Sequence, residues 1–460
     1  MTNPEQLQQL AQIKSFKNEL FAAAKTAGFS DYELYYAAST SFEAKVLNQD
    51  VSEYKNTAPH GFTFRGLVDG KMGYAYSEQI DNSVIEFIID AAKANAQVKE
   101  STDESLFAGS PSYPEGRPIS PALDKPTPEQ KIAWAKELEA HAKTVDPRVI
   151  AVDYCFIASA TGQVYIANSH GLDLHHTSGR ATSYIGVRVS ENDTVKVGFE
   201  VFTDHDFENY DPKRVAEKGV AEALKKLGAT SIPTGDYPVI IENEAMVSLL
   251  GVYVGNFFGE TVQKGFSLLK GKLGEAIANP NITIHDNISH PKSLAHNTFD
   301  SEGVAVRDKV LVDKGVLKTF LYNLKAANAE GCEPTGNGYK GGFKEPVMTS
   351  VNNLFIEPGE TAIDALLGDF SGVLIKDFMG LHAGANAVSG DFSLQSSGFL
   401  YENGKLVKPV EQITLAGNFY DLLKNVQTVA DDIYFPAGSA VGAPSLLVGG
   451  LKISGEGEKK

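Results

Sequence analysis

The chain has 460 residues, enough for two or three domains with cores of their own. Against 41 Lys and Arg stand 58 Asp and Glu, a net charge of −17 without a basic run, which argues against direct binding to nucleic acid or an anionic membrane. Cys155 and Cys332 alone cannot build a disulfide framework or a thiolate cluster and point to a reducing cytoplasm, and no stretch reaches the roughly 18 apolar residues of a membrane span.

The first twenty residues, MTNPEQLQQLAQIKSFKNEL, are polar and lack an apolar stretch of signal-peptide length. Leu7, Leu10, Ile13, Phe16, Leu20 and Phe21 recur at helical steps, which predicts an amphipathic helix over 5–28 that stops near Gly28. The period then changes. YELYYAASTSFEAKVLNQDV and GFTFRGLVDGKMGYAYSE are rich in Tyr, Phe and Val, and Asp69-Gly70 supplies the left-handed pair of a hairpin turn. NSVIEFIIDAAKANAQ returns to helix, and six prolines between Pro111 and Pro128 mark a connector over about 100–127. Thr127, Pro128 and Gln130 have the order of an N-cap, a first helical turn and a capping-box partner. Four strand segments and a helix starting at Asp211-Pro212 follow, so the first half is an α+β unit with antiparallel sheet, over 1–230. Whether its two blocks of strands form one sheet is open at this stage.

Gly228, Pro233, Gly235 and Pro238 mark a boundary before the apolar strand VIIENE. Residues 231–460 are predicted to be mainly β, with short helices near 323–330, 361–367 and 418–424 and the hairpin turn Asn403-Gly404. Their opening helix, MVSLLGVYVGNFFGE, is apolar nearly all round yet carries Gly251, Gly255 and Gly259 at four-residue steps. Each glycine costs a helix interior about 1 kcal/mol relative to alanine, so the run asks for a reason. The segment is too short for a membrane helix pair and is bounded by Glu244 and Glu260, which leaves close packing inside the protein.

Candidate chemistry is sparse. In HGLDLHH a strand would put Asp173 and His175 on one face and His176 on the other, too few donors for a metal. His285, His290 and His296 fall in a loop with Asp286, Asp300 and Pro291 and read as solvated. MGLHAGANAVSGDFSLQSSGF gathers His382, Asn386, Ser389, Asp391 and Ser393, which reads as a glycine-rich turn into a strand that contributes to a binding surface. Nucleophile elbow and P-loop motifs do not occur. The final GEGEKK reads as a charged, disordered tail.

FDSEGVAVRDKVLVDKGVLKTFLYN, PTGNG at 334–338, GANAVSGDFSLQSSGFLYENGKLVKPV and VGAPSLLVGGLKISG together resemble the TldD/PmbA family, also called modulators of DNA gyrase. The resemblance is specific over 231–460 and architectural before it. In that family the TldD kind resembles a zinc metallopeptidase, with a His-Glu-x-x-x-His helix and a late cysteine ligand; the PmbA or TldE kind lacks these and pairs with it. Aligned by pattern, Gly251 takes the first histidine's position, Val252 the glutamate's and Asn256 the second histidine's, and Cys332 is the last cysteine. The resemblance thus implies a subunit without a catalytic residue, zinc or other cofactor of its own, completing a peptidase with a TldD-like partner that carries the zinc. It further implies unfolded or small peptides as substrate, bound as an added strand, with His382, Asn386, Ser389 and Asp391 as the candidate peptide-binding residues, and a homodimer when the chain is isolated. Two alternatives stand beside it: a homodimeric peptide-binding protein with no catalytic partner, and a peptidase built on His382 and Asp391.

Overall fold

The computed structural model describes residues 4–99 and 104–456. Helix α1 (Pro4–Thr26) ends at Gly28, whose φ of +88° turns the chain into β1 (Asp31–Leu47). β2 (Asp50–Thr57), β3 (His60–Val68) and β4 (Lys71–Ser77) follow through tight turns. After α2 (Ile85–Gln97) and the connector comes α3 (Pro128–Val145), with the expected capping box between Thr127 and Gln130. β5 (Val149–Asn168), β6 (Asp173–Glu191), β7 (Thr194–Asp204) and α4 (Pro212–Lys225), capped by Asp211, complete the unit.

The two strand blocks form one seven-stranded antiparallel sheet in the order β4-β3-β1-β5-β6-β7, with β2 paired to the far half of β1. Period-2 alternation gives the sheet two faces. Leu34, Tyr36, Phe62 and Phe64 face α1 and α2, and Ala44, Cys155, Ile157 and Ile185 face α3 and α4, so all four helices cover one face. α4 lies so close to β7 that a Cβ at Gly198 would strike the Gly219 carbonyl. On the opposite face Tyr35 and Ile166 meet Leu172 and Phe299, the latter from the C-terminal region.

That region opens with β8 (Gly235–Ile241), which starts four residues before the predicted strand, while Asn243 and Glu244 already belong to α5 (Asn243–Tyr253). The predicted continuous helix over 246–260 is in three pieces. α5 tightens into a 3₁₀ turn over Val254–Phe257, Phe258 is extended with ψ 125°, and α6 (Gly259–Gln263) starts anew. Small strands β9 (Ile284–Asp286), β10 (Lys309–Asp313), β11 (Val316–Leu317), β12 (Gly338–Tyr339), β13 (Met348–Thr349) and β14 (Leu354–Ile356) follow, with α7 (Leu324–Glu330) between β11 and β12. After α8 (Ile363–Leu367) come β15 (Gly372–Met379), α9 (Leu381–Gly384), β16 (Asp391–Glu402), β17 (Lys405–Asn418), α10 (Phe419–Lys424), β18 (Val426–Val429), β19 (Val441–Gly442) and β20 (Leu446–Ser454). The predicted short helices match α7, α8 and α10, and Asn403-Gly404 turns β16 into β17 with φ of 49° and 73°.

β17, β16, β15, β8 and β20 are hydrogen-bonded in that order, and β17 pairs again with β20, so the five strands close on themselves around the main core. β8 sits at the centre of this arrangement, parallel to β15 and antiparallel to β20, with Val239, Ile240 and Ile241 wholly buried. Among the described residues no helix is long and apolar enough to cross a membrane. Of the predicted disordered tail, Gly455 and Glu456 are hydrogen-bonded to Thr234 and Ser231, and residues 457–460 lie outside the described part.

Candidate functional site

β8 delivers the chain into α5 at a polar anchor. Asn243 donates from its side-chain amide to the Asp432 carbonyl at 2.8 Å, its backbone N–H reaches Ser445 Oγ at 3.0 Å, and Ser445 donates to Asp432 at 2.6 Å. From this anchor α5 buries Ala245, Met246, Leu249, Leu250 and Tyr253 and leaves an exposed stripe of Glu244, Ser248 and Gly251, at helical steps of four and three. The segment is therefore less enclosed than its composition predicts. A Cβ at Gly251 or Gly255 would meet no atom within 4 Å, whereas one at Gly259 would strike the ring of Tyr322. Of the three glycines only Gly259 is explained by close packing.

Asn256 is buried and committed: its amide donates to the Ala387 carbonyl at 2.9 Å, and its own carbonyl accepts from Ser267 Oγ at 2.8 Å. Tyr253 stacks on Phe419 with centroids 4.2 Å apart and directs its hydroxyl at the carbonyls of Gly390 and Asp391, 3.1 and 3.2 Å away. Burial and the Asp391 charge push that phenol up to about 12, so it stays a neutral donor. The structure thus joins two stretches that lie far apart in sequence, the end of α5 and the turn at 385–391.

Within the turn the polar side chains mostly hold the backbone. Asn386 Oδ1 accepts from the N–H groups of Val388 and Ser389, and Ser389 Oγ accepts from the Asp391 N–H at 3.3 Å. Asn418 donates to the Ser389 carbonyl and to Asp391 Oδ1, and hydrogen bonds from Asn418 and then Ser389 hold the Asp391 carboxyl below its usual range. His382 stands exposed on α9. β16 is hydrogen-bonded along both edges, so the open backbone here is the turn and the β8-side edge of Asp377–Met379, where β15 runs on past the end of β8.

At the three positions that the resemblance assigns to the zinc motif, Gly251 and Val252 offer no donor atom and the Asn256 amide is spent on Ala387. These residues do not fit a zinc ion. Elsewhere Asp173 accepts from Tyr165 at 2.7 Å and pairs with Lys14 at 3.0 Å, while His176 packs edge-on against Phe299. The three histidines expected in a solvated loop are not solvated: His285 lies on β9 and stacks on Phe355 at 5.1 Å, His290 lies between Phe355 and Phe435, and His296 reaches the Glu115 carbonyl at 2.9 Å.

Sequence reasoning missed a buried polar junction. Asp286, wholly buried, accepts from the backbone of Asn352 and Asn353 and from the Asn337 amide, and pairs with Lys309 at 3.2 Å. Asp300 accepts from the N–H groups of Glu302, Val304 and Gly338, all at 2.8–3.0 Å. Burial and the neighbouring Glu302 carboxylate push the Asp300 carboxyl up. FDSEG and PTGNG, two of the blocks behind the resemblance, are therefore clasped to each other. Acidic residues beside histidine and proline read as solvated; only the turn glycines Gly303 and Gly336, with φ of 83° and 74°, hint at tight packing.

The chain matches three successive domains of the PmbA/TldA metallopeptidases: domain 1 at 32–96, the central domain at 121–227 and the C-terminal domain at 234–455. It is 28% identical over 460 residues to the metalloprotease PmbA homolog of Haemophilus influenzae, covering 98% of this chain and 97% of that one. To the metalloprotease TldD homolog of the same species it is 28% identical over 416 residues, 87% and 86% of the two chains. Among solved structures, a Thermotoga maritima protein described as a modulator of a DNA gyrase superposes with a TM-score of 0.88 at 34% identity, over 96% of this chain and 100% of that one.

Proposed function

This chain belongs to the PmbA/TldD metallopeptidase family, and from that premise we propose that it is the non-catalytic, PmbA/TldE-like subunit of a zinc peptidase acting on unfolded or small peptides. The observation that carries the proposal is the donor set at the end of α5. A hydrolytic zinc site needs imidazole, carboxylate or thiolate ligands and a general base. At Gly251, Val252 and Asn256 those groups are missing, and among the described residues no three His, Cys, Asp or Glu side chains gather as a metal requires. The partner, a TldD-like subunit, supplies the metal and the base. The His382 and Asp391 alternative loses ground because Asp391 is held by Asn418 and Ser389, as part of the turn.

The role left to this subunit is to shape the peptide's path. The open edge of Asp377–Met379 lies beside α5 and leaves main-chain groups free for an added strand, a mode of binding that depends little on side-chain identity. With a net charge of −17, any effect on gyrase passes through a peptide or protein substrate rather than through DNA.

The test is co-expression with a TldD-like subunit, with metal analysis and cleavage of an unfolded peptide. Alone, the chain is expected to hold no stoichiometric zinc and to cleave nothing; the pair should cleave and lose activity to a chelator. One zinc per isolated chain with chelator-sensitive cleavage overturns the proposal.

A further inference from the structure

On the face of the N-terminal sheet away from its helices, β3 presents Thr63 and Arg65 and β4 presents Tyr74 and Tyr76. They form one wall of a cavity of about 690 Å³, within the range of about 300–1,000 Å³ common for small-ligand sites. The opposite wall comes from α6, α7 and the hairpin joining β12 to β13. That hairpin straps the two halves together: Phe343 offers its carbonyl to Thr63 Oγ1 and lays its ring over Gly61, and Lys344 pairs with Glu78 at 2.6 Å.

The floor is cationic and incompletely paired. Arg65 is only 5% exposed, and its Nε donates to Glu33 at 2.6 Å, yet its Nη2 is buried without a hydrogen-bond partner. Its other carboxylate neighbour, Glu302, is 3.9 Å from Nη1 and spends Oε2 on the Leu324 N–H. Beside it Lys340 lies over the Tyr35 ring at 4.9 Å, with no carboxylate in ion-pair range among the described residues. Burial and then the Arg65 charge pull the Lys340 ammonium down to about 8. A buried donor without a partner costs about 1–3 kcal/mol. Arg65 Nη2 is such a donor, and this free planar N–H with the half-buried Lys340 ammonium beside it fits an oxyanion placed between them.

The rest of the lining carries both signs. Lys99, Lys264, Lys325 and Lys344 face the cavity together with Glu104, Glu260, Glu302 and Glu345, whose carboxylates can accept the amide N–H groups that a peptide offers and phosphate lacks. At the mouth Tyr76 is 53% and Met348 56% exposed, with Pro346 and Val347 beside them, an apolar rim for side chains. We propose that this cavity binds the terminal carboxylate of a short peptide, held by Arg65 and Lys340, with the residues before it lying against Tyr76 and Met348. The peptide as occupant rests on the functional reading above; the site does not. Its lining includes Glu260 and Gln263 of α6 but not Gly251, Val252 or Asn256, so this subunit would recognise a chain end with residues other than those at the degenerate zinc motif.

Calorimetry on the isolated full chain tests this without a partner, using an N-acetylated apolar tripeptide with a free carboxylate, its C-terminal amide and inorganic phosphate. The acid is expected to bind one to one and the amide at least tenfold more weakly. Lys340→Met should weaken the acid at least tenfold, Lys340→Arg should restore most of it, and binding at pH 8 should take up a proton as the ammonium is stabilised. Arg65→Lys, which keeps the charge but loses the fork, should also weaken binding. Equal affinity for acid and amide, phosphate binding as tightly as the acid, no binding of the acid, or unchanged affinity in a folded Lys340→Met chain each overturns the proposal. Failure here combined with zinc-dependent cleavage by the co-expressed pair would leave the subunit role standing; the converse result would separate the two claims in the other direction.

Discussion

A methyl group added at Gly259 would run into the Tyr322 ring, whereas one added at Gly251 or Gly255 would meet nothing within 4 Å. Even spacing in sequence therefore conceals different roles. Gly259→Ala is expected to cost about 1–3 kcal/mol, because the ring is itself buried and the Gly259 N–H is tied to the Leu321 carbonyl. Gly251→Ala should instead stabilise by about 0.5–1 kcal/mol, since it lies inside α5 with ordinary helical backbone and open space on its side. Urea midpoints of the two variants measure both, and a destabilising Gly251→Ala would mean that the stripe is covered. The open face at Gly251 is also where a catalytic relative's histidine would find room, so what the family resemblance implies and the local packing agree on one small residue.

At the scale of elements, hairpins with a glycine were legible and those without were not. Asp69-Gly70 and Asn403-Gly404 carry the left-handed pair in plain view, but Asn48-Gln49, with φ of 53° and 67°, joins β1 to β2 with no glycine at all. A residue far along the chain secures that turn: Glu139 on α3, wholly buried, accepts from the N–H groups of Asn48 and Gln49 at 2.7 Å each and from Lys143 at 3.0 Å. Burial pushes its carboxyl up, but Lys143 and the turn donors outweigh this and hold it below the usual range. Glu139→Ala should cost about 3 kcal/mol by orphaning those donors, read from the denaturation midpoint; a loss within 0.5 kcal/mol, the scale of an ordinary surface change, would deny the clamp. Caps and short helices were readable because their signals are local. The α5 break at Phe258 was not, because a segment buried on most sides carries no periodicity to show where it stops. Nor was the polar junction of Asp286 and Asp300, whose most distant partners arrive from 337–353.

For the whole molecule, acid should act in two stages. Burial, then His296 and His175, push His176 down to about 4, and burial lowers His175 and His290 as well. The fold favours the neutral ring, so this stabilisation is complete above the unfolded value of about 6.5 and is lost as pH falls from there toward 4. Glu139 and Asp146 have lowered carboxyls, whose contribution persists above the unfolded carboxylate range and fails only below it. The melting temperature should thus start to fall between pH 6.5 and 5, and His176→Gln should flatten that first step; a profile flat to pH 5 would contradict it. A last consequence concerns the order in which the fold can be made. β20 lies against β8 along one edge and shares its other edge between β18 and β17, so the strand that closes the arrangement is synthesised long after β8, which opens the same domain. A nascent chain that stops short of Leu446 holds Val239, Ile240 and Ile241 in a strand with one bare edge, so this domain must wait, open and aggregation-prone, until β20 has been made. Truncation at residue 445 should give insoluble protein, whereas removal of the four residues 457–460 should leave the soluble yield unchanged.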